Sequence, residues 1–300
     1  MESSNSYITL NNGTKMPTCG LGVFKLNDKK ALTNIITEVG YRHIDTAAIY
    51  GNEEIVGEAI AEALSSGVKR EELYITTKLW RDMKEDPVAA CKESLAKLKL
   101  DYVDMYLIHW SPPDFEADGK TFKKTPMHKV WEGMEKCVEE GLTKSIGISN
   151  FNVQMMVDML AYANIPPACN QVELHPYYKQ LDFQRFCKLY GIAVVAYSPL
   201  SALGRPIGGD AKMITEEPIL KELAEKYGKS VTQIALAWNL QSGNVVIPKT
   251  EKVSRAKENF EASSITLTEE EITKINNIDV EDKVYDPINW ESWNNIPIFK

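Results

Sequence analysis

The feature that most constrains the fold is an alternation of β-rich segments and helical patterns, repeated eight times along the 300-residue chain. The run Tyr102–Ile108 is almost continuously apolar, as expected for a strand buried on both faces. The predicted strands are Cys19–Leu21, His43–Thr46, Leu73–Thr77, Tyr102–Ile108, Thr143–Ile148, Cys169–Val172, Ala193–Tyr197 and Val245–Ile247. Strands that alternate with helices in this way predict a parallel sheet covered by helices.

Helical periodicity follows each predicted strand. The predicted helices are Asp28–Glu38, Glu53–Leu64, Asp86–Leu98, Met127–Glu140, Val153–Tyr162, Asp182–Tyr190, Val231–Leu240 and Val253–Phe260. Two extra helices are predicted at Glu217–Tyr227 and Thr268–Ile278, and Thr268 with Glu271 has the spacing of a capping box. Before the first unit, two short β segments around Asn12-Gly13 predict a hairpin.

Eight units predict a closed (β/α)₈ TIM barrel, which typically needs about 250 residues. A doubly wound sheet would carry a glycine-rich phosphate loop after its first strand, but Gly20-Leu-Gly22-Val-Phe-Lys25 lacks the third glycine of that motif. We therefore expect residues 1–300 to form a single barrel domain. Loops 111–125 and 199–215 and the C-terminal tail 281–300 are expected to cover the face at the carboxyl ends of the strands.

Composition excludes several classes of partner. The formal net charge of −8 argues against a nucleic-acid partner, which requires a basic surface. No apolar run approaches the roughly 18 residues of a membrane span, and the N-terminus has no signal-peptide pattern. The five cysteines lack zinc or redox spacing, so we expect free thiols, no metal and a cytoplasmic location. A monomer is expected, with a homodimer as the alternative.

Chemistry-bearing side chains recur at the ends of successive predicted strands. Asp45 lies at the end of the second predicted strand and Tyr50 follows it. Lys78 follows the third strand and His109 the fourth. In a parallel barrel these ends meet on one face. An acid, a phenol, an ammonium and an imidazole there can deliver a proton to a carbonyl oxygen, which favours a carbonyl reductase.

Each of the four residues has a distinct expected role. A free phenol has a pKa near 10, so Tyr50 as an acid would be helped by an ammonium that lowers that pKa, and Lys78 can supply it. Asp45 would keep Lys78 charged and oriented. His109 would hydrogen-bond the substrate carbonyl. Taken alone, Asp45 could instead cap a turn, and Tyr50 could simply pack on a loop.

The sequence resembles the aldo-keto reductases, including the aldose and xylose reductases, over nearly its whole length. The motifs that carry the resemblance are Gly40-Tyr-Arg-His-Ile-Asp-Thr46, Thr77-Lys-Leu-Trp80, Tyr106-Leu-Ile-His-Trp110, Gly147-Ile-Ser-Asn-Phe151, Asn170-Gln-Val-Glu173 and Ile247-Pro-Lys-Thr250. The resemblance implies a (β/α)₈ barrel that reduces aldehydes and aldoses with NADPH, or NADH as the alternative. It also implies that Tyr50 is the general acid, with Lys78, Asp45 and His109 as its partners.

The resemblance further implies a set of cofactor-binding residues. Ser149, Asn150 and Gln171 would hold the nicotinamide carboxamide, and Tyr197 would stack on the nicotinamide ring. Ser198 and Leu200 would begin a loop over the pyrophosphate. The adenosine end would be held by Lys249, Thr250, Arg255 and Asn259. The residues after the last strand also predict an anion site without the resemblance. Two cations, Lys249 and Arg255, and the hydroxyl of Thr250 lie close in sequence to a helix N-terminus there. Glu251, if it points inward, would repel a 2′-phosphate.

The substrate is expected to be a small aldehyde or sugar held by aromatic side chains. Candidate pocket walls are Phe24, Trp80, Trp110 and Phe115, with Trp290 and Trp293 from the tail. The ending Asn295–Lys300 is similar to that of yeast-type xylose reductases. Those enzymes carry an acid at the position of Ile49, a tryptophan at that of Phe24 and an asparagine at that of Tyr285, so the similarity does not extend to the residues near the sugar.

Two other functions remain open from sequence. One is a cofactor-binding regulatory or structural module on the same barrel, with little turnover. The other is glycoside hydrolysis by Asp45 and Glu173, which needs two carboxyl groups facing each other about 5–10 Å apart and leaves Lys78 and His109 without a role.

Overall fold

Eight parallel strands form the barrel in the computed structural model, which describes residues 6–201, 203 and 213–299. They are β3 (Gly20–Gly22), β4 (His43–Asp45), β5 (Tyr74–Leu79), β6 (Val103–Ile108), β7 (Thr143–Ser149), β8 (Cys169–Glu173), β9 (Ala193–Tyr197) and β10 (Val245–Val246). Each pairs with the next in chain order. The amide of Val246 donates to Thr18 O at 2.8 Å and that of Gly22 to Pro248 O at 3.2 Å, which joins the first strand to the last. The predicted (β/α)₈ fold is confirmed.

Helices surround the barrel at the positions expected from the sequence. They are α1 (Lys29–Asn34), α2 (Glu53–Ser65), α3 (Pro87–Leu98), α4 (Met127–Glu139), α5 (Val153–Tyr162), α6 (Leu181–Leu189), α7 (Pro218–Tyr227), α8 (Val231–Gln241), α9 (Val253–Glu261) and α10 (Glu269–Asn276). The predicted capping box of Thr268 and Glu271 is formed at the start of α10. One departure is a π-helical turn, Ile35–Val39, that directly continues α1.

The predicted N-terminal hairpin is formed by β1 (Tyr7–Thr9) and β2 (Lys15–Pro17). Gly13 supplies the positive φ of +83° that the turn between them requires. Asn12 Nδ2 donates to Ser145 Oγ at 2.9 Å, which places the hairpin at the end of the barrel where strand β7 begins. The hairpin therefore covers the amino ends of the strands and leaves the carboxyl ends free for a site.

The barrel interior is packed at its lower end and polar at its upper end. Met16 of the hairpin packs in one buried cluster with Met105, Leu107 and Val195 from the strands. Asp45 and Lys78 are buried at the carboxyl ends of β4 and β5. Charged side chains remain buried only when they are paired, so their presence here indicates a built polar site. Within the described residues, no helix is both long and apolar enough to cross a membrane.

Candidate active site

A buried ion pair forms the centre of the site. Lys78 Nζ donates to Asp45 Oδ1 at 2.6 Å and to Thr46 O at 2.8 Å, and the two side chains are 0% and 2% exposed. The sequence predicts Asp45 near the end of the strand His43–Thr46 and Lys78 just beyond the strand Leu73–Thr77. In the structure Asp45 is the last residue of β4, and Lys78 lies inside β5, because that strand continues to Leu79. Both side chains therefore extend from rigid backbone.

Tyr50 lies on a short 3₁₀ helix, Ala48–Tyr50, between β4 and α2. Its ring centre is 5.1 Å from Lys78 Nζ and 5.0 Å from the ring centre of Phe24. The next loop residue but one, Asn52, is buried and donates through Nδ2 to Val23 O at 2.8 Å and Leu26 O at 3.0 Å. Asn52 thus fixes the loop that presents Tyr50, a role that its sequence context did not indicate.

Burial and charge act on the pKa of Tyr50 in opposite directions. Burial raises the pKa of the phenol, the Lys78 ammonium partly offsets this, and the net pKa lies above its ordinary value. The sequence-based expectation that Lys78 would bring this pKa down is therefore wrong for the net effect, because desolvation of a phenolate outweighs one nearby cation. Burial lowers the pKa of Lys78, but the Asp45 carboxylate and the Tyr50 phenol together outweigh this. The net pKa of Lys78 lies above its ordinary value, so Lys78 stays an ammonium.

His109 directly follows β6 and faces the same site. Its ring lies edge-on to Tyr50, with ring centres 5.8 Å apart, and edge-on to Trp80, with ring centres 5.1 Å apart. Burial, with a smaller contribution from the Lys78 charge, lowers the pKa of His109 well below its ordinary value. Its Nδ1 has no hydrogen-bond partner among the described residues. The site therefore presents a neutral imidazole to a ligand.

The residues predicted to hold the nicotinamide form a connected network above the ion pair. Asn150 Nδ2 donates to His109 O at 3.0 Å, and Tyr197 Oη donates to Asn150 Oδ1 at 2.8 Å. Ser149 Oγ donates to Gln171 O at 2.8 Å. Gln171 Nε2 donates to Asp45 Oδ2 at 2.7 Å, a bond across the barrel that the sequence analysis did not anticipate. The network links the predicted cofactor residues to the predicted catalytic ones.

The cluster after the last strand offers cations around a helix N-terminus. Lys249 is 40% exposed, Arg255 is exposed in the first turn of α9, and α9 begins without a side-chain cap on its free amides. Thr250 Oγ1 accepts from Lys252 N at 3.1 Å. Asn259, further along α9, is buried. Uncapped helical amides with two solvent-accessible cations fit the phosphate groups of a nucleotide.

Glu251 does point toward this cluster. Its Oε1 lies 3.6 Å from Lys249 Nζ and accepts from Asn27 N at 3.2 Å. Ser198 and Leu200, at the start of the predicted covering loop 199–215, are described, whereas residues 202 and 204–212 of that loop lie outside the described residues.

Aromatic side chains line one side of the site. Ring centres are 5.9 Å apart for Trp80 and Trp293, and 5.1 Å apart for Trp110 and Trp293. Trp290 lies 5.3 Å from Trp110, and Phe24 is 42% exposed on the side of Tyr50. The structure therefore brings most of the predicted wall residues together. Phe115 reaches Trp293 through an intervening arginine that is described below.

The tail is fixed to the barrel by a buried carboxylate. Glu173, the last residue of β8, accepts from Val284 N at 2.7 Å and Tyr285 N at 2.8 Å, and it contacts His175 Nε2 at 2.9 Å. Glu173 and Asp45 are thus both buried and bound by other groups, whereas a hydrolytic pair must face a substrate. The arrangement disfavours glycoside hydrolysis. Among the described residues, no cluster of histidines, cysteines and carboxylates could hold a metal ion.

Comparisons with known proteins agree with this geometry. The family model described as the aldo/keto reductase family matches residues 9–280. The NADP-dependent D-sorbitol-6-phosphate dehydrogenase of Malus domestica is 43% identical, covering 91% of this chain and 94% of that protein. Aldo-keto reductase family 1 member A1 of Gallus gallus is 40% identical, over 93% of this chain and 90% of that protein.

A solved structure shows the same similarity in three dimensions. The aldose reductase from Schistosoma japonicum superposes with a TM-score of 0.89 at 32% identity, covering 98% of this chain and 99% of that one. Fold and site together define a barrel oxidoreductase. The chain belongs to the aldo/keto reductase family.

Proposed function

We propose that this protein reduces the carbonyl group of small aldehydes and aldoses to an alcohol, with NADPH as the hydride donor and Tyr50 as the general acid. The observation that carries the proposal is the arrangement of Tyr50 beside the buried Asp45–Lys78 pair, with a neutral His109 facing it. The family is one of NADP(H)-using oxidoreductases, and the Malus domestica relative is named NADP-dependent.

The protein's own residues supply the proton and the orientation. Tyr50 is protonated at neutral pH, because a phenol has a pKa near 10 and burial raises the pKa of Tyr50 further, so it can give its proton to the developing alkoxide. The Lys78 ammonium, held by Asp45, stabilises the phenolate that remains. His109, held neutral, positions the carbonyl oxygen by a hydrogen bond from its ring.

Other residues would hold the cofactor, which supplies a hydride when bound. Ser149, Asn150 and Gln171 would bind the nicotinamide carboxamide, and Tyr197 would stack on the ring. Ser198 and Leu200 would adjoin the pyrophosphate. Lys249, Thr250, Arg255 and Asn259 would hold the adenosine end. The uncapped start of α9 and the exposed cations favour NADPH, and the nearby Glu251 keeps NADH as an alternative.

The proposed substrates have a carbonyl on a largely apolar body. Ile49 is 48% exposed beside Tyr50, and Phe24, Trp80, Trp110, Phe115 and Trp293 supply most of the remaining wall. Sugars and sugar phosphates belong in the substrate panel because relatives are named for them. We further propose one cytoplasmic, monomeric barrel domain, whose catalytic face is covered by loop 111–125, loop 199–215 and tail 281–300. The five free and buried cysteines fit a reducing compartment.

The test is steady-state oxidation of NADPH with an aromatic aldehyde, glyceraldehyde, xylose and a hexose phosphate, repeated with NADH. The Tyr50→Phe variant should lose about 10²–10⁴-fold in kcat, as expected when a general acid is removed. Tyr190→Phe is the matched control, because Tyr190 is 51% exposed at the end of α6. Equal rates for wild type and Tyr50→Phe would refute the proposal.

A cofactor-binding module with little turnover is the second candidate. The connected network around Asn150 and Tyr197 would serve such a module equally well. Tight NADPH binding, measured by quenching of tryptophan fluorescence, combined with no turnover across the panel would favour it.

A further inference from the structure

Two cations follow strand β5, which carries Lys78, and both are buried. Arg81 begins a 3₁₀ helix, Arg81–Met83, and Lys84 directly follows that helix. Arg81 is 6% exposed and Lys84 only 2%. Lysine and arginine are almost never this buried unless their charges are paired or fully hydrogen-bonded. Their contacts therefore show what the burial achieves.

Lys84 binds three consecutive backbone carbonyls. Its Nζ donates to Trp110 O at 2.6 Å, Ser111 O at 2.8 Å and Pro112 O at 2.7 Å. Burial, with a smaller contribution from the Arg81 charge, lowers the pKa of Lys84 to about 7. The ammonium form has three N–H donors, and these three contacts use all of them on one short stretch of chain. That stretch begins one residue after His109. Lys84 thus determines the path of the chain that carries the Trp110 ring.

Arg81 connects the same loop to the tail. Its Nε and Nη2 donate to Asp114 Oδ1 at 3.0 and 2.9 Å. Its guanidinium carbon lies 4.7 Å from the ring centre of Phe115 and 4.5 Å from that of Trp293. Stacking of a desolvated guanidinium on aromatic rings is attractive, and here one guanidinium stacks on residues from both covering segments.

We infer that Arg81 and Lys84 are positioning residues that fix the aromatic wall of the substrate pocket and thereby set its selectivity for bulky apolar carbonyl compounds. The inference rests on the proposed reductase function. The wall in question is Trp110, Phe115 and Trp293, adjoining Trp80 and His109. Arg81 contacts the Phe115 and Trp293 rings, and Lys84 binds the backbone carbonyl of Trp110. Neither takes part in the hydrogen bond between Lys78 and Asp45.

The test compares a bulky substrate, naphthaldehyde, with a small one, glyceraldehyde, for Arg81→Met and Lys84→Met. Losing hydrogen bonds from a charged group should raise KM for naphthaldehyde about 10-fold. We expect kcat and the KM for glyceraldehyde to change by about twofold or less, because the groups at the reacting carbonyl are untouched. Lys84→Arg, which keeps a cation with several donors, should recover part of the lost affinity.

Lys92→Met is the matched control, because Lys92 makes an exposed ion pair with Glu140 at 2.7 Å. It should leave both KM values unchanged. Equal changes in KM for the two aldehydes, or a fall in kcat without a change in KM, would overturn the inference.

A second measurement does not depend on turnover. Amide hydrogen exchange in residues 110–116 should be faster in Arg81→Met, Lys84→Met and the milder Asp114→Asn than in wild type. Unchanged exchange there in all three variants would overturn the inference. If wild type lacks reductase activity altogether, the proposed function fails, whereas the exchange result still decides whether these cations position the loop.

Discussion

Replacing Asp45 by asparagine tests the ion pair at the centre of the site. The change keeps the size of the side chain but removes the charge that lies 2.6 Å from Lys78 Nζ. Both groups are completely or almost completely buried, so Lys78 would be left as an uncompensated ammonium. Breaking a buried pair by removing one partner costs about 3–5 kcal/mol in the free energy of unfolding.

The pH dependence of this loss follows from the pKa of Lys78. In wild type the pKa of Lys78 is raised in the folded state. The stabilisation that the ion pair gives the folded protein is therefore fully present below about pH 10.4, the pKa of lysine in the unfolded chain, and is lost as pH rises through the pKa of the folded state. In the variant, burial lowers the pKa without the opposing Asp45 charge. The destabilisation should therefore shrink as pH rises toward 10, by up to about 1.4 kcal/mol per pH unit.

The assay is urea unfolding at pH 7 and pH 9, followed by the fluorescence of the six tryptophans. Glu93→Gln is the control, because it breaks an exposed pair with Lys97 at 2.6 Å and should cost about 1 kcal/mol or less. A loss for Asp45→Asn as small as that of the control, or one independent of pH, would refute the reasoning.

Three further predictions concern the acid, the tail and the cofactor. In pH–rate profiles of aldehyde reduction, kcat/KM should stay level up to about pH 10, the ordinary pKa of a phenol, because the pKa of Tyr50 is raised. Lys78→Met should move the alkaline fall in kcat/KM to still higher pH, because the ammonium that lowers the pKa of Tyr50 is removed. A fall in kcat/KM near neutral pH would contradict this. Glu173→Gln removes the charged acceptor for Val284 N and Tyr285 N, so limited proteolysis of residues 284–299 should quicken about 10-fold, and unchanged proteolysis would show that the tail is held otherwise. Glu251→Gln should tighten NADPH binding by about threefold and leave NADH binding unaltered, because only NADPH carries the 2′-phosphate that would lie near Lys249 and Glu251. Equal effects on both Kd values in fluorescence titrations would exclude this role.

The barrel was predictable because each unit carries its own local signal. The continuous apolar run of β6 and the capping box of α10 are both local features, and the structure confirms them. The residues at which the strands end were harder to predict, because the apolar character of the sequence changes gradually there. Hence Lys78 was placed after β5, although the strand includes it.

Contacts between distant segments were not predictable from local patterns. Gln171 and Asp45 are 126 positions apart, and only the curvature of the closed barrel brings Gln171 Nε2 to the carboxylate. The same holds for Lys84 with the carbonyls after His109 and for Glu173 with the tail amides. The net direction of the Tyr50 pKa shift also depends on burial, which a sequence motif does not specify.

The most direct test of the proposed chemistry is a single turnover, in which the complex with NADPH is mixed with an aromatic aldehyde and the loss of NADPH fluorescence is followed. Wild type should show one rapid decay. Tyr50→Phe should bind NADPH with unchanged affinity but decay at least about 10²-fold more slowly. A Tyr50→Phe decay as fast as wild type would contradict the assignment of Tyr50 as the proton donor, and with it the function proposed for this site.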